Sequence, residues 1–345
     1  MIFQCTENAL SVHYKRLFSA LQISALRLLL PFALSVWLIG GLAGCGGNAA
    51  GDGAADSTFV DDTLRIALVP TAEAWPLMVA AEEGWLDTLA VPVQLLPFPA
   101  AMDADTAFCR GWANAELTDL VKAVTWRARG DSVRAVLWCD LQLTLVATPE
   151  AKVKKLRALQ DKVIAMTRHS ALDFMADRLL ARANLNEKAL NRPQINDIYL
   201  RQRMTDQRQY DGAILPEPYA TRARVGGGTQ IAVLLRSDSA QRVDKGVTSL
   251  PLNPLGVLLV SERAVGLSDT LVSSLQAAYA AGCDYLNAHG LPPALQEAAD
   301  SLFVPLPFAP RATPSDSLLR LVNEWALRRG LTERSVSANE FLFTP

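Results

Sequence analysis

Any chemistry in this chain has to come from a few polar residues that stand just beyond apolar runs. Thr71, Glu73 and Trp75 follow the first run, Pro99, Met102 and Asp103 the second, and Thr118 and Asp119 the third. Arg168-His169-Ser170 follows a later one, and Glu217 and Tyr219 another. A guanidinium beside the free N–H groups of a helix start suits a sulfonate, phosphonate or carboxylate, and Arg168-His169-Ser170 has that character. Asp173 would share that first turn and repel an anion. Glu73, Asp103, Asp119 and Glu217 offer the opposite, a wall for an amine or other cation, so the sign of the ligand's charge stays open. Trp75 suits stacking on a flat ligand and equally suits packing on its own surroundings. Glu217 suits an amine or amidine, but also a helix start with Pro218 in its first turn. Tyr219 fits core and ligand equally. One histidine near these residues and scattered carboxylates make no acid–base or nucleophilic constellation, so no catalytic residue is expected.

The elements that must position these residues can be read from hydrophobic periodicity. Strands are expected at 64–69, 91–96, 114–119, 133–138 and 141–147, with helices from Pro76 to Gly84, at 102–112 and at 120–129. The rhythm restarts after Pro149 with a strand at 162–166 and a helix begun by Ser170, whose Asp173 makes a capping-box pattern. Leu172, Met175, Leu179 and Ala183 form that helix's buried stripe. Strands follow at 194–199, 211–215, 230–235 and 255–260, with helices at 201–209 and from Tyr219. Gly226-Gly227-Gly228 lacks the Lys-Ser/Thr of a phosphate loop and reads as a turn. Helices at 268–288, 292–302 and 315–329 close the chain. Strands alternating with helices indicate βαβ units and mostly parallel sheets.

Ahead of this body lie Lys15, Arg16 and Arg27, then an uncharged run from Leu28 to Gly41, then Leu42-Ala43-Gly44-Cys45. A charged stretch, an apolar stretch and a small-residue cleavage site make a secretory signal over 1–44. Residues 46–62 are rich in Gly, Ala, Asp and Ser, a composition that cannot bury enough surface to order itself. A flexible tether is therefore expected over 45–62. About 280 residues remain, enough for two lobes. Removing residues 1–44 takes three of the 33 Lys/Arg and one of the 35 Asp/Glu, leaving 30 basic against 34 acidic groups and a net charge of −4. No basic patch invites nucleic acid. Cys109, Cys139 and Cys283 remain in the body, as one disulfide plus a thiol or as buried thiols. Their spacing fits no metal site, and neither metal nor cofactor is expected.

Leu42-Ala43-Gly44-Cys45 resembles a bacterial lipobox, which implies a diacylglycerol thioether on Cys45. Leu64-Arg65-Ile66-Ala67-Leu68-Val69-Pro70, followed by Trp75-Pro76-Leu77 and closing with Glu82-Glu83-Gly84-Trp85-Leu86, resembles the opening of solute-binding proteins of the nitrate/sulfonate/taurine and pyrimidine-precursor type. Asp211-Gly212-Ala213-Ile214-Leu215-Pro216-Glu217-Pro218-Tyr219 resembles that family's second signature. The resemblance implies an α/β, type II periplasmic-binding fold, with two Rossmann-like lobes, a hinge and an interlobe ligand cleft. Lobe one would comprise 63–147 plus 251–345 and lobe two 148–250, with hinge crossings near Leu145–Thr148 and Leu252–Leu255. Ligands of open α/β sheets bind beyond the carboxyl ends of the strands. On that basis Thr71, Glu73, Trp75, Met102, Asp103, Thr118, Arg168, His169, Ser170, Glu217 and Tyr219 would line the cleft. The implied role is capture of a small polar organic molecule by an exported, lipid-anchored monomer. Its partners would be an ABC permease with its ATPase, and the membrane through Cys45. Two alternatives remain: an enzyme of the pyrimidine-synthase or menaquinone-pathway type on the same fold, and a surface lipoprotein that kept the fold without a transport ligand.

Overall fold

The computed structural model describes residues 63–236, 244–262, 267–298 and 306–341. The signal at 1–44, Cys45 and the tether at 45–62 lie outside the described residues. Two sheets organise the rest. The first contains β1 (Leu64–Leu68), β2 (Val93–Pro97), β3 (Ala115–Asp119), β4 (Val133–Cys139) and β11 (Gly256–Ser261), in the order β2-β1-β3-β11-β4. Only β11 runs against its neighbours. The second contains β5 (Leu143–Ala147), β6 (Lys162–Ala165), β7 (Leu190–Asn191), β8 (Gly212–Pro216), β9 (Thr229–Arg236) and β10 (Thr248–Asn253), in the order β10-β9-β5-β8-β6-β7. Here β5 is the strand antiparallel to both of its partners.

Alternation along the strands decides which helix meets which face. On β11, Leu258 and Val260 pack with helices α1 (Trp75–Glu82) and α7 (Asp269–His289), while Val257 and Leu259 join the core beneath α3 (Leu120–Arg129). Ala67 of β1 packs on the small residues Ala104 and Ala107 of α2 (Ala101–Cys109). In the second sheet Leu143 and Leu145 share a core with α4 (Ala171–Arg182), whereas Val146, Ala213 and Leu215 meet Ala220 and Ala223 of α6 (Tyr219–Val225). The Gly226–Gly228 turn is needed for that second contact. A Cβ on Gly228 would lie 2.5 Å from Val146 Cγ1 and 2.8 Å from the Ala223 carbonyl.

Several expected boundaries move. The first crossing between sheets is Asp140–Gln142, not Leu145–Thr148, because β5 is a full member of the second sheet. The second sheet accordingly extends to Asn253 through β10, which the sequence reading left unassigned. The strand expected at 194–199 does not form: β7 ends at Asn191, Gln194 makes one isolated bridge, and α5 (Ile198–Asp206) starts early because Asp197 accepts from Leu200 N–H as its N-cap. Helix α8 (Pro293–Ala298) matches the start of the one expected at 292–302, whose last residues lie outside the described set.

The final long helix, α9 (Asp316–Arg328), bridges helices of the two sheets. Its stripe of Leu318, Leu319, Val322, Trp325 and Ala326 packs against α3, while Trp325 Nε1 donates to Asp177 of α4 at 2.7 Å. Arg329 adds an ion pair to Asp173 at 3.1 Å. Arg192 bonds both of these buried aspartates, so each charge has partners. Burial alone would raise Asp173, but the His169 N–H, Arg192 and Arg329 hold its carboxyl below the usual range. The short α10 (Ala338–Phe341) returns to the first sheet, where Arg134 donates to the Glu340 carbonyl.

The tightest helix contact is testable. Gly282 of α7 lies on α1 so closely that a Cβ would sit 2.1 Å from the Pro76 carbonyl oxygen. Gly282→Ala should force the two helices apart and cost about 1–3 kcal/mol of stability, the usual range for overpacking. A fall in the urea midpoint at unchanged slope would show it.

Candidate functional site

Carboxyl ends of strands from both sheets meet along one seam, and the lobes bond to each other across it. Ala72 N–H donates to the Glu217 carbonyl at 3.0 Å, and Ile198 N–H to the Pro99 carbonyl at 3.3 Å. Ala100 and Asp197 form an antiparallel bridge beside the second of these. The third link is a charge. Asp119 ends β3 and caps α3, accepting from Lys122 N–H at 3.1 Å, and the backbone N–H of Ala171, at the start of α4, also favours its charged form.

That proximity changes the meaning of Arg168-His169-Ser170. Ser170 is the N-cap of α4, accepting from Leu172 N–H and donating to the Thr167 carbonyl, and is buried. His169 adopts a left-handed φ of 56° that turns its N–H onto Asp173 Oδ2 at 3.1 Å. The positive end of α4 is thus occupied by two of the chain's own carboxylates, Asp173 from within and Asp119 from the opposite lobe. The Arg168 and His169 side chains are exposed beside it.

At the floor of the seam, Thr71 and Glu73 are held by a short helical turn at Ala72–Ala74. Thr71 Oγ1 donates to Glu73 Oε1 at 2.6 Å, while Glu73 Oε2 is buried with no hydrogen-bond partner among the described residues. Burial pushes the Glu73 carboxyl up to about 7, against the pull of the Thr71 hydrogen bond and with a smaller push from Asp119. The residue as a whole is half-buried, and its Oε2 is fully buried. Glu73 lines a recess of about 10 Å³ with Ala72, Asp140, Gln142, Tyr279 and Phe308. Such a volume has room for about one water molecule. Asp140, from the first crossing, is paired with Arg311 through Nε at 2.7 Å. Asp140, Gln142, Tyr279 and Phe308 escaped the sequence reading. Asp140 falls in the gap between two expected strands, Gln142 inside the second of them, and the last two come from the C-terminal third of the chain.

The remaining expected residues divide. Trp75 is 1% exposed, with its ring 6.0 Å from that of Phe308, so it packs on its own lobe. Met102 is 50% exposed on the lip, its sulfur accepting from Asn196 of the other lobe at 3.3 Å, and Asp103 beside it is exposed. Thr118 is half-buried. Glu217 is buried and accepts from Thr221 N–H at 3.0 Å, taking the helix-start role, and burial raises its carboxyl. Half-buried Tyr219 packs beneath α6, with the Arg222 guanidinium 5.5 Å from its ring. Behind the seam Lys122 pairs with Asp105. Burial would lower its ammonium, but Asp105, Glu116 and Asp119 more than offset that and hold it above the usual range.

Solved structures decide what this two-lobed arrangement is. The alkanesulfonate-binding protein from Xanthomonas axonopodis pv. citri, bound to MOPS, superposes with a TM-score of 0.63 at 16% identity, covering 82% of this chain and 98% of that one. A ligand-binding component of an ABC-type import system from Staphylococcus aureus, with zinc bound, gives 0.61 at 12% identity over 82% and 97%. A Candida albicans gene product described as having the generic periplasmic binding protein fold gives 0.54 at 12% over 79% and 92%. This chain has the periplasmic-binding-protein fold. At these identities the likeness fixes the architecture of the binding-protein fold and leaves the ligand to the chain's own residues. No protein-family model matches the chain, and no curated protein does. Among the described residues no group of three or more His, Cys, Asp or Glu is placed to hold a metal ion, and no helix is long and apolar enough to cross a membrane.

The buried carboxyl gives a pH signature. Because Glu73 titrates near 7 in the folded chain rather than at 4.5, its contribution to stability is fully present below about pH 4.5 and lost as the pH rises through about 7. Glu73→Gln has no proton to lose, so its stability relative to the parent should rise by about 3 kcal/mol between pH 4 and pH 8. Asp119 and Glu217 shift in the same direction but are common to both proteins and cancel in the difference. Urea denaturation of the pair at the two pH values measures it, and parallel pH profiles would contradict the burial of this carboxyl.

Proposed function

We propose that this chain is an exported, lipid-anchored solute-binding protein that carries a small polar organic molecule to an ABC importer. The observation behind this reading is the seam itself. Strand ends from both lobes converge there, and directional bonds at Ala72 and Ile198 cross it, while the lobes also share an apolar core through α3, α4 and α9. Directional bonds can open and reform, and a solute that touches both lobes only when they are closed shifts the population toward closure. The structural neighbours include a sulfonate-binding protein and an import component. The stretch Leu42-Ala43-Gly44-Cys45 supports cleavage and lipidation at Cys45, with 1–44 as the signal and 45–62 as the tether. The cleft residues assigned on this reading are Thr71, Glu73, Asp119, Ser170 and Glu217, with Met102, Asp103, Thr118, Arg168, His169 and Tyr219 around the rim.

A recess of only about 10 Å³ favours a second reading, a lipoprotein that keeps the fold without a transport ligand. Thermal unfolding of the detergent-extracted chain against sulfonates, phosphonates, pyrimidines, amines and carboxylates separates the two. A true ligand at a hundred times its dissociation constant adds about 2.7 kcal/mol and raises the midpoint by several degrees. A hit confined to one chemical class supports transport. Silence across the panel, with no co-purified ligand by native mass spectrometry, supports the second reading. Anchoring is tested separately: Cys45→Ala should move the protein into the soluble fraction, and a processed variant that stays on the membrane would overturn the lipid attachment.

A further inference from the structure

We infer that the seam accepts a small organic cation with N–H donors, such as a primary amine or an amidine, with its charged head on Glu73. The inference rests on the binding-protein reading above and names the chemical class that reading leaves open. Electrostatic occupancy supports it first. The helix start best suited to an anion, at α4, already holds the carboxylates of Asp119 and Asp173. An incoming anion would have to sit beside Asp119 and Asp173, as like charges in a poorly hydrated place.

Arg168 is exposed at the rim, but the other nearby cations are committed. Lys122 pairs with Asp105, Arg311 with Asp140, and Arg192 and Arg329 with Asp173 and Asp177. What remains open is an acceptor. Glu73 Oε2 is buried, without a partner among the described residues, and lines the recess. Buried polar atoms are nearly always bonded, so a solitary carboxylate oxygen facing a recess calls for a donor from elsewhere.

The surrounding walls suit the same visitor. Tyr279 commits its hydroxyl to the Glu73 carbonyl at 3.2 Å, which leaves its ring as the surface beside the recess, and Phe308 stands next to it. Aromatic surface and a carboxylate together attract an ammonium, through the ring quadrupole and the ion pair respectively. The recess admits about one water while the lobes are closed, so a solute enters when the Ala72–Glu217 bond opens, and its cationic head then reaches Glu73 from the seam.

The test titrates the full chain, as extracted from membranes, with n-butylamine, agmatine, ethanesulfonate and butyrate, reading calorimetric binding and the unfolding midpoint. One or both amines should bind saturably and the two anions should not, and Glu73→Gln should weaken amine binding at least tenfold while keeping a cooperative melt. A readout on the unaltered chain guards against a variant that misfolds. Amine affinity should climb about tenfold per pH unit up to near pH 7 and then level off, because an ammonium pairs only with the ionised carboxyl. The groups facing Glu73 are Asp119, Cys139, Tyr279 and Asp140 with its Arg311, and burial raises Asp119, Cys139 and Tyr279. Binding of the anions with the amines silent would overturn the cation assignment and leave the binding-protein reading standing. Amine binding that ignores both Glu73→Gln and pH would remove Glu73 from the site. Silence for all four probes, alongside a hit of another class in the wider panel, would overturn the cation assignment alone, and silence in both would overturn the two together.

Discussion

Two crossings join the lobes, and one side chain holds them side by side. Asn253, the last residue of β10, accepts from Leu141 N–H at 3.0 Å and donates to the Leu141 carbonyl at 2.9 Å, while its oxygen also accepts from Leu255 N–H. It is buried, so each bond replaces one that water no longer supplies. Without this pairing, the backbone of the first crossing would carry unsatisfied groups in a buried place. The seam inherits its geometry from that point. Gln142 beside it accepts from Glu217 N–H, and Asp140 on its other side meets Arg311. Ala72 then reaches the Glu217 carbonyl, so the floor of the cleft is built outward from the hinge.

The electrostatic design of the cleft follows from what the fold already satisfies. An α/β lobe presents the positive ends of its helices toward the ligand space. Here the most favourable of those ends is neutralised internally, by one carboxylate of its own lobe and one of the other. Closure and charge are linked in Asp119, a residue that caps its own helix α3 and contacts the start of the helix across the seam.

Much of this architecture is written in local pattern. Strand–helix alternation, the cap at Ser170 and the glycine turn after α6 all follow from residues close in sequence, where periodicity and capping chemistry act. The failures share one cause, the dominance of distant partners. Strand β10 contains Thr248, Ser249, Pro251 and Asn253, a poor strand composition, yet it sits at the edge of its sheet, where proline is tolerated. Asp173 reads as a helix-start charge from its neighbours, but its partners Arg192 and Arg329 lie 19 and 156 residues away. Trp75 was equally compatible with ligand and core until Phe308, from the far end of the chain, filled the space beside it. Glu73 was legible as a polar residue after a strand. That one of its oxygens would be left without a donor was not, since this depends on where Tyr279 and Asp140 come to rest.

The place of β11 between β3 and β4 has a consequence for the order in which the molecule can assemble. Its residues, 256–261, are made after the entire second sheet, 143–253. A ribosome adding about 5–20 residues per second delivers lobe two as an uninterrupted stretch, ready to fold as a unit. The sheet that starts the chain must wait with a gap at its centre, β3 and β4 both lacking a neighbour. The lobe begun first is the one finished last, and a nascent chain of this topology spends that interval with β4 unpaired and one edge of β3 open to whatever machinery handles extended polypeptide.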